Sequence, residues 1–510
     1  MEHILPVLDE APSNKHDRAD LFALTPLTTT LMDRLLLSLD FPSINTRQQR
    51  IAHPHTKTFK WIFSRRSGYK TWSNFASWLQ SGSGLYWITG KAGSGKSTLM
   101  KFIVHHPRTK TLLASWAGGS PPIVASFYFW HAGNMMQTSQ EGLLQTLLYQ
   151  AISQYRILAP EKRPGRWASF SLSRDFNEAW KWPELEKAFR FLLEEQAPFL
   201  KFCFLIDGLD EFKGELQTLL SLVKRISQYP NVKICVSSRP WMIFEDTFQA
   251  KPQLMLQDLT LPDIRIYVND NLTQTPGFME LRCMDEQYAA SLVENIATKA
   301  SGVFLWVVLV VKSLLEGLRD GDHLSDLQRR LDELPEELDD LFRRILHNFD
   351  TRYFRDASVL FQLVKASVSP PTLLALSFAE QTNEDLAIEA EMKPLTSNEK
   401  FYRSLTMRRR LDSRCRGLLE TEVHDDWTED DDILAKSKVD FLHRTVSEFL
   451  ERADIWEKFL AATDNSFKPF AALAQSWLLQ LKRVYTDPFF DSAKFLWGAV
   501  YGVLEYAGKS

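Results

Sequence analysis

The chain has 510 residues, more than one hydrophobic core can organise, so we expect about two to four domains. Its 45% hydrophobic and 24% charged residues are typical of a globular protein and exclude a fibrous or wholly disordered one. The net charge of −4 excludes a global positive field, and four widely separated cysteines exclude a disulfide scaffold or zinc ribbon. The longest apolar run, 303–311, is about half the ~20 residues of a membrane-spanning helix. A soluble, cytoplasmic protein without a transmembrane segment is expected.

The first predicted element is an apolar helix over 31–39, and a polar segment follows it. From Leu85 onward, short apolar runs alternate with amphipathic helical patterns. The predicted strands are 85–89, 123–130, 202–206 and 232–237, and the predicted helices between them include 141–152 and 184–195. Nearly continuous apolar strands that alternate with helices predict an α/β fold with a doubly wound parallel sheet covered on both faces.

The segment GKAGSGKS, residues 90–97, matches the phosphate-binding pattern G-x-x-x-x-G-K-[ST] between a predicted strand and a predicted helix. Its glycines allow the backbone N–H groups to converge on a phosphate chain at the positive end of the helix. Lys96 is expected to reach the β- and γ-phosphates, and the Ser97 hydroxyl to hold Mg²⁺. The predicted nucleotide-binding residues are Gly90, Lys91, Ala92, Gly93, Ser94, Gly95, Lys96, Ser97 and Thr98.

Acidic residues follow the predicted strand 202–206 directly. Asp207 is the candidate for the second Mg²⁺ ligand, and Asp210 or Glu211 is the candidate for orienting or deprotonating the attacking water. Arg239 follows the apolar strand 232–237 and is predicted to contact the γ-phosphate. The pattern therefore predicts a site for a nucleoside triphosphate with Mg²⁺, and nothing in it chooses ATP over GTP.

Downstream of Leu259 the sequence is helical, and a mixed region follows from about 350 to 450. Two β-like runs, 417–423 and 438–443, flank an acidic stretch at 425–432. Thr445 and Glu448 have the spacing of a helix capping box, which places His443 at a strand-to-helix junction just before the cap.

Together, GLYWITGKAGSGKSTLMKFI, FLIDGLDEF and VKICVSSRP resemble the NACHT domain of fungal STAND-class NTPases, whose nucleotide-binding region is also described as nephrocystin-like. Gly208 fits the small residue that this class has after the magnesium aspartate. The resemblance continues through 256–268, 296–318 and 439–450. It implies a leader at 1–57, a NACHT P-loop NTPase domain at 58–260, a helical domain at 261–345, a winged-helix-like domain at 346–455 and a C-terminal helical segment at 456–510.

The resemblance also implies a function: a switch that is closed with ADP, opens when ATP replaces it, and in fungi takes part in non-self recognition and regulated cell death. It further implies that His443 reaches the β-phosphate of ADP in the closed state, and that activation involves protein partners or self-association. The alternatives are a scaffold that binds nucleotide without turnover and an AAA+-like motor on nucleic acid.

Nucleic acid is not the expected partner. A basic run lies near the winged-helix-like region, but the acidic stretch at 425–432 follows it and is expected to neutralise it. The run comprises Arg403, Arg408, Arg409, Arg410, Arg414 and Arg416.

Overall fold

A computed structural model describes residues 26–64, 72–82, 84–119, 122–158, 179–195, 200–381, 386–421, 431–463, 467–484 and 492–509. The chain divides into two compact units, 1–307 and 308–510. The finer domain boundaries expected from the sequence stay predictions.

The first unit is organised around a parallel five-stranded sheet. Its strands are β1 (Gly84–Thr89), β2 (Ile123–Tyr128), β3 (Phe202–Asp207), β4 (Val232–Ser238) and β5 (Gln253–Met255). They lie in the order β2-β3-β4-β1-β5, so the strand before the phosphate-binding loop and the strand that ends at Asp207 are separated by β4. The register pairs Thr89 with Ser238 and Tyr128 with Asp207, which brings the carboxyl ends of the strands to one edge.

Helices cover both faces of this sheet. In the described ranges of the first unit, the helices, including those that do not touch the sheet, are α1 (Pro26–Leu39), α2 (Thr46–Arg50), α3 (Phe75–Gln80), α4 (Lys96–His105), α5 (Pro107–Trp116), α6 (Met135–Thr138), α7 (Gln140–Leu158), α8 (Trp182–Glu195), α9 (Leu216–Ser227), α10 (Met242–Phe248), α11 (Leu261–Thr273), α12 (Pro276–Met284) and α13 (Glu286–Lys299). One core contains Trp87 and Phe204 with side chains from α7 to α10, and the other contains Tyr86 and Leu205 with side chains from α3 to α5. The predicted doubly wound α/β fold is confirmed.

The division between the units falls within α14 (Phe304–Asp320). The further helices are α15 (Leu324–Glu333), α16 (Leu338–His347), α17 (Phe354–Ala366), α18 (Leu373–Ala379), α19 (Leu386–Glu389), α20 (Ser397–Arg414), α21 (Asp431–Lys436), α22 (Arg444–Leu450), α23 (Ala453–Ala462), α24 (Pro469–Val484) and α25 (Ser492–Ala507). Two short strands, β6 (Leu419–Thr421) and β7 (Val439–Phe441), pair antiparallel, with Glu420 opposite Asp440.

The arginine-rich run lies on and just after α20 and makes specific contacts within the second unit. Arg410 pairs with Glu380 at 2.9 Å, and Arg414 pairs with Asp356 at 3.2 Å. The guanidinium of Arg403 lies over the Phe378 ring at 4.7 Å. The acidic stretch expected to neutralise the run lies almost entirely outside the described residues, so that expectation stays a prediction. These three arginines have partners on or next to α17 and α18.

The predicted strands 123–130 and 438–443 are longer than the strands that form. The predicted strand 417–423 begins later, at Leu419, and its last two residues lie outside the described residues. Among the helices that the structure describes, none is both long and apolar enough to cross a membrane.

Candidate nucleotide-binding site

The phosphate-binding loop leaves the end of β1, next to β4, and turns into α4 at Lys96. Gly93 has φ +71° and Gly95 has φ +95°, a left-handed conformation that glycine adopts without steric cost. At Gly93 a side chain would also lack space, because a Cβ would come within 2.8 Å of the Leu305 Cβ. These glycines therefore place the first N–H groups of α4, the positive end of a helix of 10 residues, at the loop.

Lys96 folds back over the loop. Its Nζ donates to the carbonyl oxygens of Gly90 at 2.7 Å and Lys91 at 2.9 Å. Burial lowers the pKa of Lys96 to about 8, and the negative charges of Asp210 and Asp207 act against this shift. A bound phosphate would add a further negative charge and favour the protonated lysine.

Asp207 ends β3 and is 1% exposed. Its Oδ1 accepts a hydrogen bond from the Ser237 hydroxyl at 2.5 Å, and the Ser237 hydroxyl in turn accepts one from the Gly208 N–H at 2.9 Å. Burial raises the pKa of Asp207, against the lowering influence of the Ser237 and Ser97 hydroxyls. Ser237, at the end of β4, thus links the strand of Asp207 to the strand beside the loop.

The second carboxylate oxygen of Asp207 suits the cation that the sequence predicts. This Oδ2 is buried, and no residue in the described part of the chain donates a hydrogen bond to it. A buried carboxylate oxygen and the neighbouring Ser97 hydroxyl are the hard oxygen donors that Mg²⁺ takes from a protein when phosphates and water supply its other ligands. The residues fit the predicted ion, which when bound would neutralise charge on the phosphates. No group of three His, Cys, Asp or Glu side chains suited to a metal occurs within the described ranges.

Gly208 begins the acidic turn with φ +74°. The turn then forms a short 3-10 helix, Leu209–Glu211, which directs Asp210 and Glu211 to different partners. Asp210 Oδ1 accepts from the Arg239 N–H at 3.1 Å, and its Oδ2 pairs with Arg239 Nε at 3.2 Å. Glu211 Oε2 accepts from the His131 N–H at 2.8 Å.

The structure thus brings Lys96, Asp207, Asp210, Glu211 and Arg239 to one edge of the sheet. Arg239 pairs with Asp210, one of the two carboxylates predicted to act on water. The sequence alone does not reveal this pairing. Ser237 was not among the predicted site residues. The feature that could have identified it is its small hydroxyl side chain at the end of the strand beside β1.

His443 lies in the second unit, at the start of α22. Its Nδ1 accepts from the Thr445 N–H at 3.1 Å, so His443 is itself the N-cap residue. The predicted capping box at Thr445 is wrong, because α22 begins at Arg444, one residue before that box, and Glu448 pairs with Arg444 at 2.8 Å. The role of His443 toward ADP stays a prediction.

Two family models match parts of this chain, each covering less than half of it. Residues 57–239 match the family described as Nephrocystin 3, N-terminal, and residues 348–488 match a domain of unknown function, DUF7791. The first match includes the phosphate-binding loop and Asp207, so this region is similar to the N-terminal region of nephrocystin 3. Among curated proteins no match is found.

Three solved structures are similar to this chain. A Drosophila ORC structure bound to DNA shares 12% identity, with 82% of this chain and 98% of that chain covered and a TM-score of 0.34. A Signal Transduction ATPase with Numerous Domains from Pyrococcus horikoshii, which has a tetratricopeptide repeat sensor, shares 11% identity over 88% of this chain and 56% of that chain, with a TM-score of 0.35. The Aeropyrum pernix ORC1 protein in complex with DNA shares 11% identity over 78% and 98%, with a TM-score of 0.30. Likenesses this distant carry no functional argument.

Proposed function

We propose that this chain is a STAND-type signalling switch that binds ATP with Mg²⁺, hydrolyses it slowly and resets with ADP. GTP is the alternative nucleotide. The observation that carries the proposal is the phosphate-binding loop with Lys96 over it and the buried, unsatisfied oxygen of Asp207 beside it. These are the groups that hold the phosphates and the ion of a nucleoside triphosphate.

Slow hydrolysis is supported by the state of the two candidate carboxylates. Both oxygens of Asp210 are engaged by Arg239, and one oxygen of Glu211 is engaged by the His131 N–H. A general base must come within hydrogen-bond reach of the water, directly or through one further water, and the Arg239 and His131 contacts compete with the water for these carboxylates. A switch needs a slow reset, whereas a motor needs rapid turnover.

The biological setting, fungal non-self recognition or regulated cell death with protein partners or self-association on activation, follows from the resemblance and is part of the proposal. The runner-up is a scaffold that holds nucleotide without turnover, which the same engaged carboxylates favour. Three arginines of the basic run already have partners, which supports a function without nucleic acid.

The test begins with the nucleotide that co-purifies with the protein, identified by chromatography after denaturation. Adenine nucleotide with a turnover far below one per second is the expected result. Guanine nucleotide would redirect the proposal to GTP, turnover of several per second would favour a motor, and binding without phosphate release would favour the scaffold.

A further inference from the structure

Two segments that follow the sheet, 256–260 and 301–305, contact the first half of the phosphate-binding loop. Gln257 Oε1 accepts a hydrogen bond from the Lys91 N–H at 3.1 Å. The Leu305 N–H, at the start of α14, donates to the Gly93 carbonyl at 3.0 Å. We name these two segments the loop bracket.

The two parts of the loop bracket are also joined to each other. Thr260 Oγ1 donates to the Gly302 carbonyl at 3.2 Å, and Thr260 itself is fully buried. Gly302 has φ +78°, and a Cβ there would come within 2.2 Å of the Gln257 carbonyl oxygen. Glycine is therefore required on two counts, its backbone conformation and the close approach of another backbone.

The loop bracket acts on the part of the loop that does not begin the helix. Phosphate binding depends on several backbone N–H groups that point at one place, so an error in the loop path weakens all of these contacts together. Gln257 fixes Lys91, and Leu305 fixes Gly93, which leaves the turn through Ser94 and Gly95 into α4 with little freedom.

We propose that Gln257 is a positioning residue of the nucleotide site, and that it holds the phosphate-binding loop in its binding conformation together with the backbone N–H of Leu305. This inference rests on the proposed nucleotide binding. The hydrogen bond between Gly93 and the Leu305 N–H also connects the loop to the first turn of α14. A phosphate that holds the loop in place should therefore also stabilise this first turn.

The test uses Gln257→Met, which keeps much of the side-chain volume and removes the acceptor. The loss of one hydrogen bond is expected to weaken binding of ATP and ADP by about two- to tenfold, measured by calorimetry. Gln253→Met is the matched control: Gln253 lies on β5, and its side chain donates to the Gln249 carbonyl at 3.1 Å. Its variant should bind both nucleotides like the parent.

Amide hydrogen exchange provides a second readout that a general loss of stability would not reproduce. In the parent, nucleotide should slow exchange of the Leu305 amide, and in Gln257→Met this slowing should be reduced. The Lys91 amide should exchange faster in Gln257→Met without nucleotide, and Gln257→Glu, which retains an acceptor oxygen, should restore its protection. Melting curves identify any variant that is not folded, and Gln257→Ala replaces Gln257→Met if that variant does not fold.

The outcomes separate the two proposals. If the parent binds nucleotide and the folded Gln257→Met or Gln257→Ala variant matches it in affinity and in Leu305 exchange, the positioning role is wrong and the proposed function stands. If the parent binds no nucleotide, the proposed function fails and the positioning role fails with it.

Discussion

Replacing Asp207 with Asn is expected to stabilise the nucleotide-free protein while it removes magnesium-dependent nucleotide binding. Asn keeps an acceptor for the Ser237 hydroxyl but carries no charge, whereas the parent has a buried carboxylate oxygen without a donor among the described residues. Asn places an amide N–H group where that oxygen was, so the gain comes from the loss of a buried charge and not from a satisfied hydrogen bond. A buried polar group without a partner costs about 1–3 kcal/mol, and more when it is charged, so the free energy of unfolding is expected to rise by about 1–3 kcal/mol. In a chain of this size each kcal/mol corresponds to less than about 4 °C in melting temperature.

The pH dependence has a definite sign. Because burial raises the pKa of Asp207, the folded protein keeps a proton at this site to a higher pH than the unfolded chain does. This contribution to stability is present below the ordinary carboxyl pKa of about 3.9 and is lost as the pH rises through the raised folded-state pKa. Since Asn does not titrate, the advantage of Asp207→Asn over the parent should grow as the pH rises.

The assay is a series of thermal melts between about pH 5 and pH 8, without and with Mg²⁺ and ATP. Saturating nucleotide should raise the melting temperature of the parent, by the equivalent of about 2.7 kcal/mol at a hundred times the dissociation constant, and most of this gain should be absent in Asp207→Asn. Asp246→Asn on α10 is the control, because that carboxylate is exposed and its loss should leave the melts unchanged. If Asp207→Asn melts at or below the parent temperature at the high end of the pH range, the reasoning is refuted.

Three further predictions concern single functions of the site. Lys96→Ala removes the cation over the loop and should weaken nucleotide binding at least about tenfold by calorimetry, since a charge-assisted contact contributes roughly 1.5–3 kcal/mol. Glu211→Gln keeps an acceptor for the His131 N–H and should leave ATP binding intact while phosphate release falls about 10²-fold, the usual contribution of a positioned base. His443→Leu should weaken ADP more than ATP, because only the closed state is proposed to make that contact.

Each of these has a result that contradicts it. Unchanged affinity in Lys96→Ala would argue against the phosphate-binding loop. Phosphate release at the parent rate in Glu211→Gln would move the catalytic role to Asp210, whose replacement by Asn also weakens a buried ion pair with Arg239. Equal weakening of the two nucleotides in His443→Leu would leave that residue only the capping role that it has in α22.

Local sequence patterns were sufficient to predict the phosphate-binding loop and the four longer strands of the sheet. The loop needs glycine at positions with positive φ and a lysine at the first residue of a helix, and both requirements are met by residues a few positions apart. The four longer strands of the sheet are buried on both faces, so their apolar runs stand out without knowledge of their neighbours. The same logic failed for β5, because three residues paired only with β1 leave too short a pattern to recognise.

Only the tertiary structure decided how the site is assembled. The order β2-β3-β4-β1-β5 places Ser237 between Asp207 and the loop, and it pairs Arg239 with Asp210 across 29 positions of sequence. Gln257 and Leu305 reach the loop from positions far downstream, through hydrogen bonds that depend on the docking of two separate segments. Local periodicity reports which face of an element is buried, but it carries no information about which element lies against it. The residues that bind phosphate could therefore be predicted from the sequence, whereas the contacts that hold these residues in place could not.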